Sequence, residues 1–360
     1  MRVPRIGLVL GGGGVIGNAY LSGVLEGIRR VSGWDPGQAQ ITVGTSAGSV
    51  SGALTALGVP TEAMYRYVQG QPPTDTPAAG AAGAEHLARA FGSRSDREWT
   101  ERLYPRTGVL PRPFLSSPRA VLRGLLWPRR TPLELFVSGL IGEGFVSTRT
   151  IGQIIERVQA RGWPSREYWA VAVDLETGRR VALGRRDAPV TDVSRAVRAS
   201  CAIPGFFAPV RIEGRRYVDG GVWSVSNLDL LAGRGLDLVI CVNPMSSLEG
   251  RSYEGPVDRF TGAVRRLERR AWQRFGRRLG WERSRVERRG TRVALLQPTA
   301  ADLEVIPFNL MDPAARAPVA RRALETTTAA LETRSEWHEP LRMLGAAARA
   351  AARRAEAAPA

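Results

Sequence analysis

The sequence predicts an α/β protein of three layers, α/β/α, in which helices cover both faces of a mainly parallel sheet. Two stretches, residues 5–31 and 41–57, each contain a short apolar strand, a glycine-containing turn and a helix. Strand-turn-helix units in series are typical of parallel sheets. The 360 residues, 43% hydrophobic and 24% charged, are enough for a large core and exclude a disordered chain.

The first unit begins with Arg5 to Leu10, which contains the pattern Ile-Gly-Leu-Val-Leu and predicts a short buried strand. Gly11 to Gly17 is expected to form the turn after it. A helix is predicted from Ala19 to Val31, because its aliphatic residues recur at helical spacing. The second unit repeats this order, with a strand at Ile41–Val43, a turn at Gly44–Gly48 and a helix of small residues at Val50–Leu57.

The middle of the chain has a different composition. Residues 70–84 are rich in Pro, Ala and Gly, and 85–145 lack clear periodicity, so we expect a helical insertion or cap at about 70–145. One domain is expected over residues 1–330, followed by an Ala- and Arg-rich helix or tail over 331–360. Later strands are expected at Tyr168–Val173, Arg180–Leu183, a hairpin around Glu213-Gly214, Asp237–Val242 and Arg292–Leu296.

The charge of the chain is strongly basic. All 51 basic residues are Arg, and they exceed the 34 acidic residues to give a formal net charge of +17. Nucleic acid, an anionic membrane surface or an acidic substrate must therefore be considered as a partner. Residues 259–292 alone carry 13 Arg and 3 Glu, a net +10. Apolar residues at helical spacing from Phe260 to Leu279 predict a basic amphipathic helix over about 255–292.

Glycine motifs follow the first two strands. Gly12–Gly17 matches G-x-G-x-x-G, which in a dinucleotide site is accompanied by an acidic residue at the end of the second strand. Asp35 is near that offset but lies in a turn, and the second strand leads instead into Gly44-Thr45-Ser46-Ala47-Gly48. This G-x-S-x-G on a strand-to-helix turn is the pattern of a nucleophile elbow. Ser46 is therefore a candidate nucleophile.

Histidine and cysteine are too scarce for several chemistries. The chain has two His, His86 and His338, and two Cys, Cys201 and Cys241. They form no zinc-type cluster, and we expect both Cys to be buried thiols rather than a disulfide. Neither His lies in a loop at a strand end, so a triad with a His base is not expected. The base for Ser46 should then be a carboxylate.

Asp219 is the best candidate for that carboxylate. It lies in Tyr217-Val218-Asp219-Gly220-Gly221, at the end of a predicted strand, where the glycines permit a tight backbone turn. Asp174 also ends a strand, but the residues after it, Leu175-Glu176-Thr177-Gly178, are typical of an ordinary hairpin turn. We therefore interpret Asp174 as structural.

With these motifs in this order, the chain resembles the patatin-like phospholipases, here of bacterial type, a family of lipid acyl hydrolases. The likeness covers about residues 5–250, the insertion excepted. Ile16 departs from the pattern, since the family often has Arg or Lys there. The matching blocks are Gly12–Gly17 with the family's glycine-rich oxyanion loop, Gly44–Gly48 with its G-x-S-x-G, Asp219-Gly220-Gly221 with its D-G-[AG], and Ala199–Val210 with the segment before its catalytic Asp.

The resemblance implies a patatin-like fold and a Ser-Asp dyad, with Ser46 as nucleophile and Asp219 as general base. A partly desolvated Asp219 with a raised pKa is expected, because an ordinary carboxylate is a weak base for a hydroxyl. The resemblance also implies an oxyanion hole and motif glycines: Gly12, Gly13 and Gly14 for the hole, and Gly17, Gly44, Gly48, Gly220 and Gly221 for the motifs.

The implied activity is hydrolysis of carboxylic esters of lipids, of phospholipase A or lysophospholipase type, through an acyl-enzyme and with no cofactor or metal. Acyl transfer or general esterase action with the same dyad is an alternative. A catalytically silent membrane-binding module is an alternative of another class.

A lipid substrate lies in an interface, and two segments are candidates for docking on it. They are the basic helix near 259–289 and the stretch Phe114–Trp127, in which apolar residues are interleaved with Arg119 and Arg123. The alternative is that these apolar stripes pack on the domain. We expect a cytoplasmic protein, peripheral on the inner membrane face, whose partners are a lipid or acyl ester and an anionic membrane. Nucleic acid is not expected, because no reader motif accompanies the basic helix.

Overall fold

The computed structural model describes residues 2–71, 146–159, 162–247 and 259–357, together with Leu122, Leu126 and Gly144; within 259–272 it describes only the helical backbone. The predicted insertion over about 70–145 lies almost wholly outside the described residues. The same is true of the docking segment Phe114–Trp127 and of His86.

An eight-stranded sheet forms the centre of the described fold. Its strands are β1 (Ile6–Leu10), β2 (Ile41–Thr45), β3 (Glu167–Asp174), β4 (Arg180–Leu183), β5 (Val210–Ile212), β6 (Arg215–Asp219), β7 (Leu238–Val242) and β8 (Arg292–Leu296). The order along the sheet is β5-β6-β3-β2-β1-β7-β8, and β4 also pairs with β3. Strands β3, β2, β1, β7 and β8 are parallel, whereas β4, β5 and β6 join through antiparallel pairs. The predicted mainly parallel sheet is confirmed.

Helices connect and cover these strands. They are α1 (Gly14–Ser32), α2 (Ala47–Ala56), α3 (Thr61–Val68), α4 (Arg149–Val158), α5 (Val193–Ser200), α6 (Arg259–Glu287), α7 (Ala300–Val305), α8 (Arg316–Thr333) and α9 (His338–Glu356). A short 3₁₀ turn at Gly220–Val222 directly follows β6, and a second lies at Leu228–Leu231, before β7. Over the part of the chain that is described, no helix has both the length and the apolar character needed to cross a bilayer.

Helix α1 begins earlier than the sequence predicts. The expected turn Gly11–Gly17 ends at Gly13, and the helix starts at Gly14, not near Ala19. Gly14 and Gly17 weaken the sequence signal at this point, because glycine disfavours an isolated helix. In the structure the Gly17 amide donates to the carbonyl of Gly13 at 2.8 Å and the Ile16 amide to that of Leu310 at 3.0 Å, so hydrogen bonds hold this first turn. Further along α1, a Cβ on Gly23 would lie 2.2 Å from the carbonyl oxygen of Ala320, which shows how closely α1 packs on α8.

The two faces of the sheet bury different residues, as the alternation of side chains along a strand requires. In β1, Leu8 and Leu10 belong to the larger core, which α1–α5 and α7–α9 share. Val9, between them, packs in a second core with Leu279 and Val286 of α6. Helices on one face and α6 on the other give the three layers that the sequence predicts.

The C-terminal half of the basic helix α6 packs on this second core. Leu279, Glu282 and Val286 are buried, while Trp281 between them is 46% exposed. For this half, the alternative in which the apolar stripe packs on the domain is therefore the observed one. Cys201 and Cys241 are free and buried, as expected.

Candidate active site

Ser46 lies on the sharp turn between β2 and α2. Its backbone has φ 52° and ψ −122°, a conformation that is strained for any residue other than glycine. A Cβ on Gly44 would lie 2.4 Å from the carbonyl oxygen of Gly48, and a Cβ on Gly48 would lie 2.0 Å from that of Leu10. The glycines of the G-x-S-x-G pattern are therefore a steric requirement of this turn.

Side chains from the end of α5 hold the backbone of Ser46 on both sides. The Ser46 amide donates to Ser200 Oγ at 3.0 Å, and Ser200 Oγ donates to the carbonyl of Val171 at 2.6 Å. The thiol of Cys201 donates to the carbonyl of Ser46 at 3.3 Å. Sequence reasoning did not assign these roles, although both residues lie in the Ala199–Val210 block that matched the family pattern.

The sheet register brings Asp219 to the same edge as Ser46. Thr45 of β2 pairs with Val171 of β3, and Ala172, the next residue, pairs with Asp219 of β6. The Ser46 side chain lies close enough to the Asp219 carboxyl group to lower its pKa through hydrogen bonding. The two candidates that the sequence singles out separately are thus neighbours in the structure.

Asp219 is 4% exposed. Burial raises the pKa of its carboxyl group to about 6, although the hydrogen bonds from Ser46 and the Gly221 amide act in the opposite direction. The Gly221 amide lies 2.7 Å from Oδ1. A Cβ on Gly220 would lie 2.3 Å from the carbonyl oxygen of Val171. The D-G-G pattern therefore reflects close packing at Gly220 and a carboxylate-amide bond at Gly221.

The other sequence candidates lie elsewhere. Asp174 Oδ1 accepts from the amides of Glu176 and Thr177 at 2.8 and 3.0 Å, and Oδ2 pairs with Arg215 at 3.0 Å. These bonds confirm the structural interpretation of Asp174. His338 is exposed at the first residue of α9.

The amide of Gly12, which the resemblance places in the oxyanion hole, already has an acceptor in this structure. It donates to the carbonyl of Val225 at 2.8 Å. Gly12 matters for a different reason, because a Cβ there would lie 3.3 Å from Ser46 Cβ. Within the described residues, no hydrogen bond uses the amides of Gly13, Gly14 or Ala47.

The Ala47 amide is a further candidate for the oxyanion hole that sequence reasoning missed. It follows the nucleophile and is the first residue of α2, where the amide has no acceptor within the helix. Ile16, at the position where the family often has Arg or Lys, is buried, and its amide donates to the carbonyl of Leu310.

A pocket of about 130 Å³ opens beside Ser46. Most of its walls are aliphatic or aromatic, and Arg316 is the charged residue among them. The lining residues are Gly14, Val15, Asn18, Ser46, Ala47, Val50, Tyr67, Val68, Ile151, Ile154, Cys201, Ile203, Phe207, Met311 and Arg316. Such a site suits an apolar chain whose polar end reaches the Ser46 hydroxyl.

Comparison with known proteins gives matches of two kinds. A family model described as Patatin-like phospholipase matches residues 8–232. Uncharacterised NTE family proteins of Mycobacterium bovis and Mycobacterium tuberculosis are 28% identical over 254 residues, which cover 71% of this chain and 51% of theirs. This chain thus spans about half the length of these curated relatives.

Among solved structures, VipD from Legionella pneumophila is similar with a TM-score of 0.41 and 13% identity, over 92% of this chain and 67% of that one. The type III effector protein ExoU is similar with a TM-score of 0.34 and 17% identity, over 92% of this chain and 53% of that one.

Proposed function

Since this chain belongs to the patatin-like phospholipase family, we propose that it is a serine acyl hydrolase that cleaves carboxylic esters of lipids. One observation carries the proposal: Ser46, on its strained turn at the edge of an apolar pocket, lies beside the buried Asp219 carboxyl group, whose pKa its side chain lowers. A nucleophile in contact with a base of raised pKa is what acyl transfer to serine requires.

In the proposed reaction, Asp219 takes the proton of Ser46 as Oγ attacks the ester carbonyl carbon. The bond from that carbon to the alcohol oxygen then breaks, and Asp219 returns the proton to the leaving alcohol. A water molecule next attacks the acyl group on Ser46 and gives a proton to Asp219. The acid leaves, and the proton passes back to Ser46 Oγ.

The developing oxyanion would be held by backbone amides rather than by a side-chain cation. The amides of Gly13, Gly14 and Ala47 are the candidates, since none of them has another acceptor among the described residues. Such a donor contributes about 3 kcal/mol to the stability of the transition state. Ala47 also lies at the N-terminus of α2, where the helix dipole favours negative charge.

The acyl chain would occupy the pocket beside Ser46. Its lining includes Val50, Ile151 and Phe207, and burial of each methylene of the substrate is favourable by about 0.8 kcal/mol. This lining favours an acyl ester over a polar substrate.

We further propose that α6 docks the protein on anionic lipid. Trp281 is 46% exposed, and the guanidinium groups of Arg278 and Arg285 lie 5.2 and 5.5 Å from the centre of its ring. Aromatic and basic side chains together suit the boundary between headgroups and acyl chains.

Fluorophosphonate labelling and ester turnover test the proposed chemistry. The wild type is expected to be labelled at Ser46 and to release fatty acid from a lysophospholipid, while Ser46→Ala does neither. Asp219→Asn should lose at least about a hundredfold in turnover. Asp174→Asn is the matched control, because Asp174 also ends a strand but is held by its own turn and by Arg215.

Retention of most activity in Ser46→Ala would overturn the assignment. Equal losses in the two Asp variants would remove the general-base role of Asp219. Product analysis with an added alcohol separates hydrolysis from acyl transfer, because a transferase yields a new ester in place of the free acid.

A further inference from the structure

Glu282 is a fully buried carboxylate on the otherwise arginine-rich helix α6. Its Oε2 accepts from the Ser226 hydroxyl at 2.6 Å and from the Leu228 amide at 3.0 Å. Its Oε1 accepts from Arg278 Nε at 3.1 Å. A buried carboxylate is costly unless it is well satisfied by hydrogen bonds. Three donors satisfy the Glu282 carboxylate, so its burial is compatible with a stable fold.

The backbone that Glu282 holds is residues 224–228, here called the 224–228 loop, which follows Asp219 closely in the chain. The loop reaches the catalytic edge of the sheet at two points. The carbonyl of Val225 accepts from the Gly12 amide at 2.8 Å. The side-chain amide of Asn227 donates to Thr45 Oγ1 at 3.0 Å. One contact fixes the glycine loop, and the other fixes the residue before the nucleophile.

The irregular backbone of the 224–228 loop needs stabilising contacts from outside the loop. Asn227 has a left-handed conformation with φ 56°, which is uncommon outside glycine. A second contact from α6 supports the same segment, since the guanidinium of Arg278 lies 5.5 Å from the centre of the Trp223 ring. Helix α6 therefore contacts the chain on both sides of residue 225, at Trp223 through Arg278 and at Ser226 and Leu228 through Glu282.

We propose that Glu282 is a positioning residue for the acyl-transfer reaction. It fixes the 224–228 loop and, through Val225 and Asn227, sets the spacing between Ser46 and the amides of Gly13 and Gly14. The proposal rests on the proposed function. Among the described residues, no contact joins Glu282 to the dyad and it does not line the pocket, so its effect is on geometry. A displacement of reacting groups by about 1 Å costs as much as 100-fold in rate.

Helix α6 also supplies a matched control. Glu287 is on the same helix and pairs with Arg283 at 2.8 Å, but both side chains are about half exposed and no described contact joins them to the loop. Glu287→Gln removes the same charge from the same helix as Glu282→Gln. A difference between the two variants therefore reports the loop contact and not the charge of α6.

The experiment measures kcat and KM for a soluble short-chain ester, with active sites counted by fluorophosphonate titration. Titration removes the effect of unfolded protein, because an unfolded molecule is not labelled. Glu282→Gln is expected to lower kcat per titrated site by about 10- to 100-fold. KM should change by less than about twofold, because Glu282 and the 224–228 loop are not among the residues that line the pocket in the described part of the chain. Glu287→Gln should match the wild type.

Ser226→Ala removes one donor to Glu282 without changing any charge. It serves as the second variant if Glu282→Gln gives no folded protein, and it is expected to lower kcat per site by about three- to tenfold. If either Glu282→Gln or Ser226→Ala has a kcat per titrated site within twofold of that of Glu287→Gln, the inference is overturned. Failure of the proposed function looks different, since the wild type would then show no labelling at Ser46, and the inference would fall with it.

Discussion

Replacement of Asp219 by Asn is expected to stabilise the fold at pH 8 while it lowers the turnover of esters at least about a hundredfold. Burial raises the pKa of this carboxyl from its usual 3.8 to about 6. The folded state therefore binds the proton more tightly than the unfolded state does. Below about pH 3.8 both states are protonated and ionisation costs nothing. Between about pH 4 and 6 the unfolded state ionises first, so stability falls as pH rises, and above about pH 6 the full cost is present.

The size of this cost follows from the two pKa values. Each tenfold difference in proton affinity corresponds to about 1.4 kcal/mol, so a pKa of about 6 in place of 3.8 gives about 3 kcal/mol. Asn keeps the size and one acceptor oxygen of Asp but cannot ionise. The stability of Asp219→Asn relative to wild type should therefore increase by about 3 kcal/mol between pH 3.5 and pH 8.

Urea unfolding at several pH values, followed by tryptophan fluorescence, measures this difference. Comparison of the two proteins at each pH cancels any constant effect of the amide group. Asp174→Asn should instead lower the free energy of unfolding at pH 8, because Arg215 loses its carboxylate partner. A stability difference between Asp219→Asn and wild type that does not change with pH would refute the reasoning, since it would mean that Asp219 ionises equally easily in both states.

Three further outcomes are expected. The rate of ester cleavage under kcat/KM conditions should rise with pH around a midpoint near 6 and level off above it, because only ionised Asp219 accepts a proton; a flat stopped-flow profile from pH 5 to 8 would contradict this. Gly48→Ala should prevent folding, since its Cβ would lie 2.0 Å from a carbonyl oxygen of β1. The control is Gly276→Ala in α6, whose Cβ would meet nothing within 4 Å. Thermal or urea unfolding should show that this control is more stable than the wild type by about 1 kcal/mol. Arg285→Glu should weaken co-sedimentation with anionic vesicles at low salt more than Arg321→Glu on α8, and binding that is insensitive to anionic lipid and salt would remove the docking proposal.

Local patterns in the sequence were enough to identify the dyad candidates. The G-x-S-x-G turn leaves few alternatives to glycine at residues 44 and 48, because the backbone there passes within 2.4 Å of any added Cβ. The scarcity of His directed attention to strand-end carboxylates. Asp219 and Asp174 were then separable, since the residues after Asp174 form an ordinary turn that uses its carboxylate.

Contacts between distant segments were not predictable in this way. Nothing near Gly12 indicates that its amide is taken by Val225, more than 200 residues along the chain. The pattern of α6 predicted a basic amphipathic helix, but it did not mark Glu282, which is one of the most buried residues in the described part of this helix. Charge composition describes the surface of a helix well, but it does not show which charged residue faces inward.

The sequence by itself determined the strands, the parallel architecture, the elbow at Ser46 and the candidate base, because each depends on apolar periodicity or on glycine at a sterically restricted turn. Only the tertiary structure decided which amides are available to an oxyanion, how far α1 extends, and that α6 holds the 224–228 loop through Glu282. The reason is that a hydrogen-bond donor can serve one acceptor well. Which acceptor it meets depends on how separate segments pack against the sheet, and no local pattern records that.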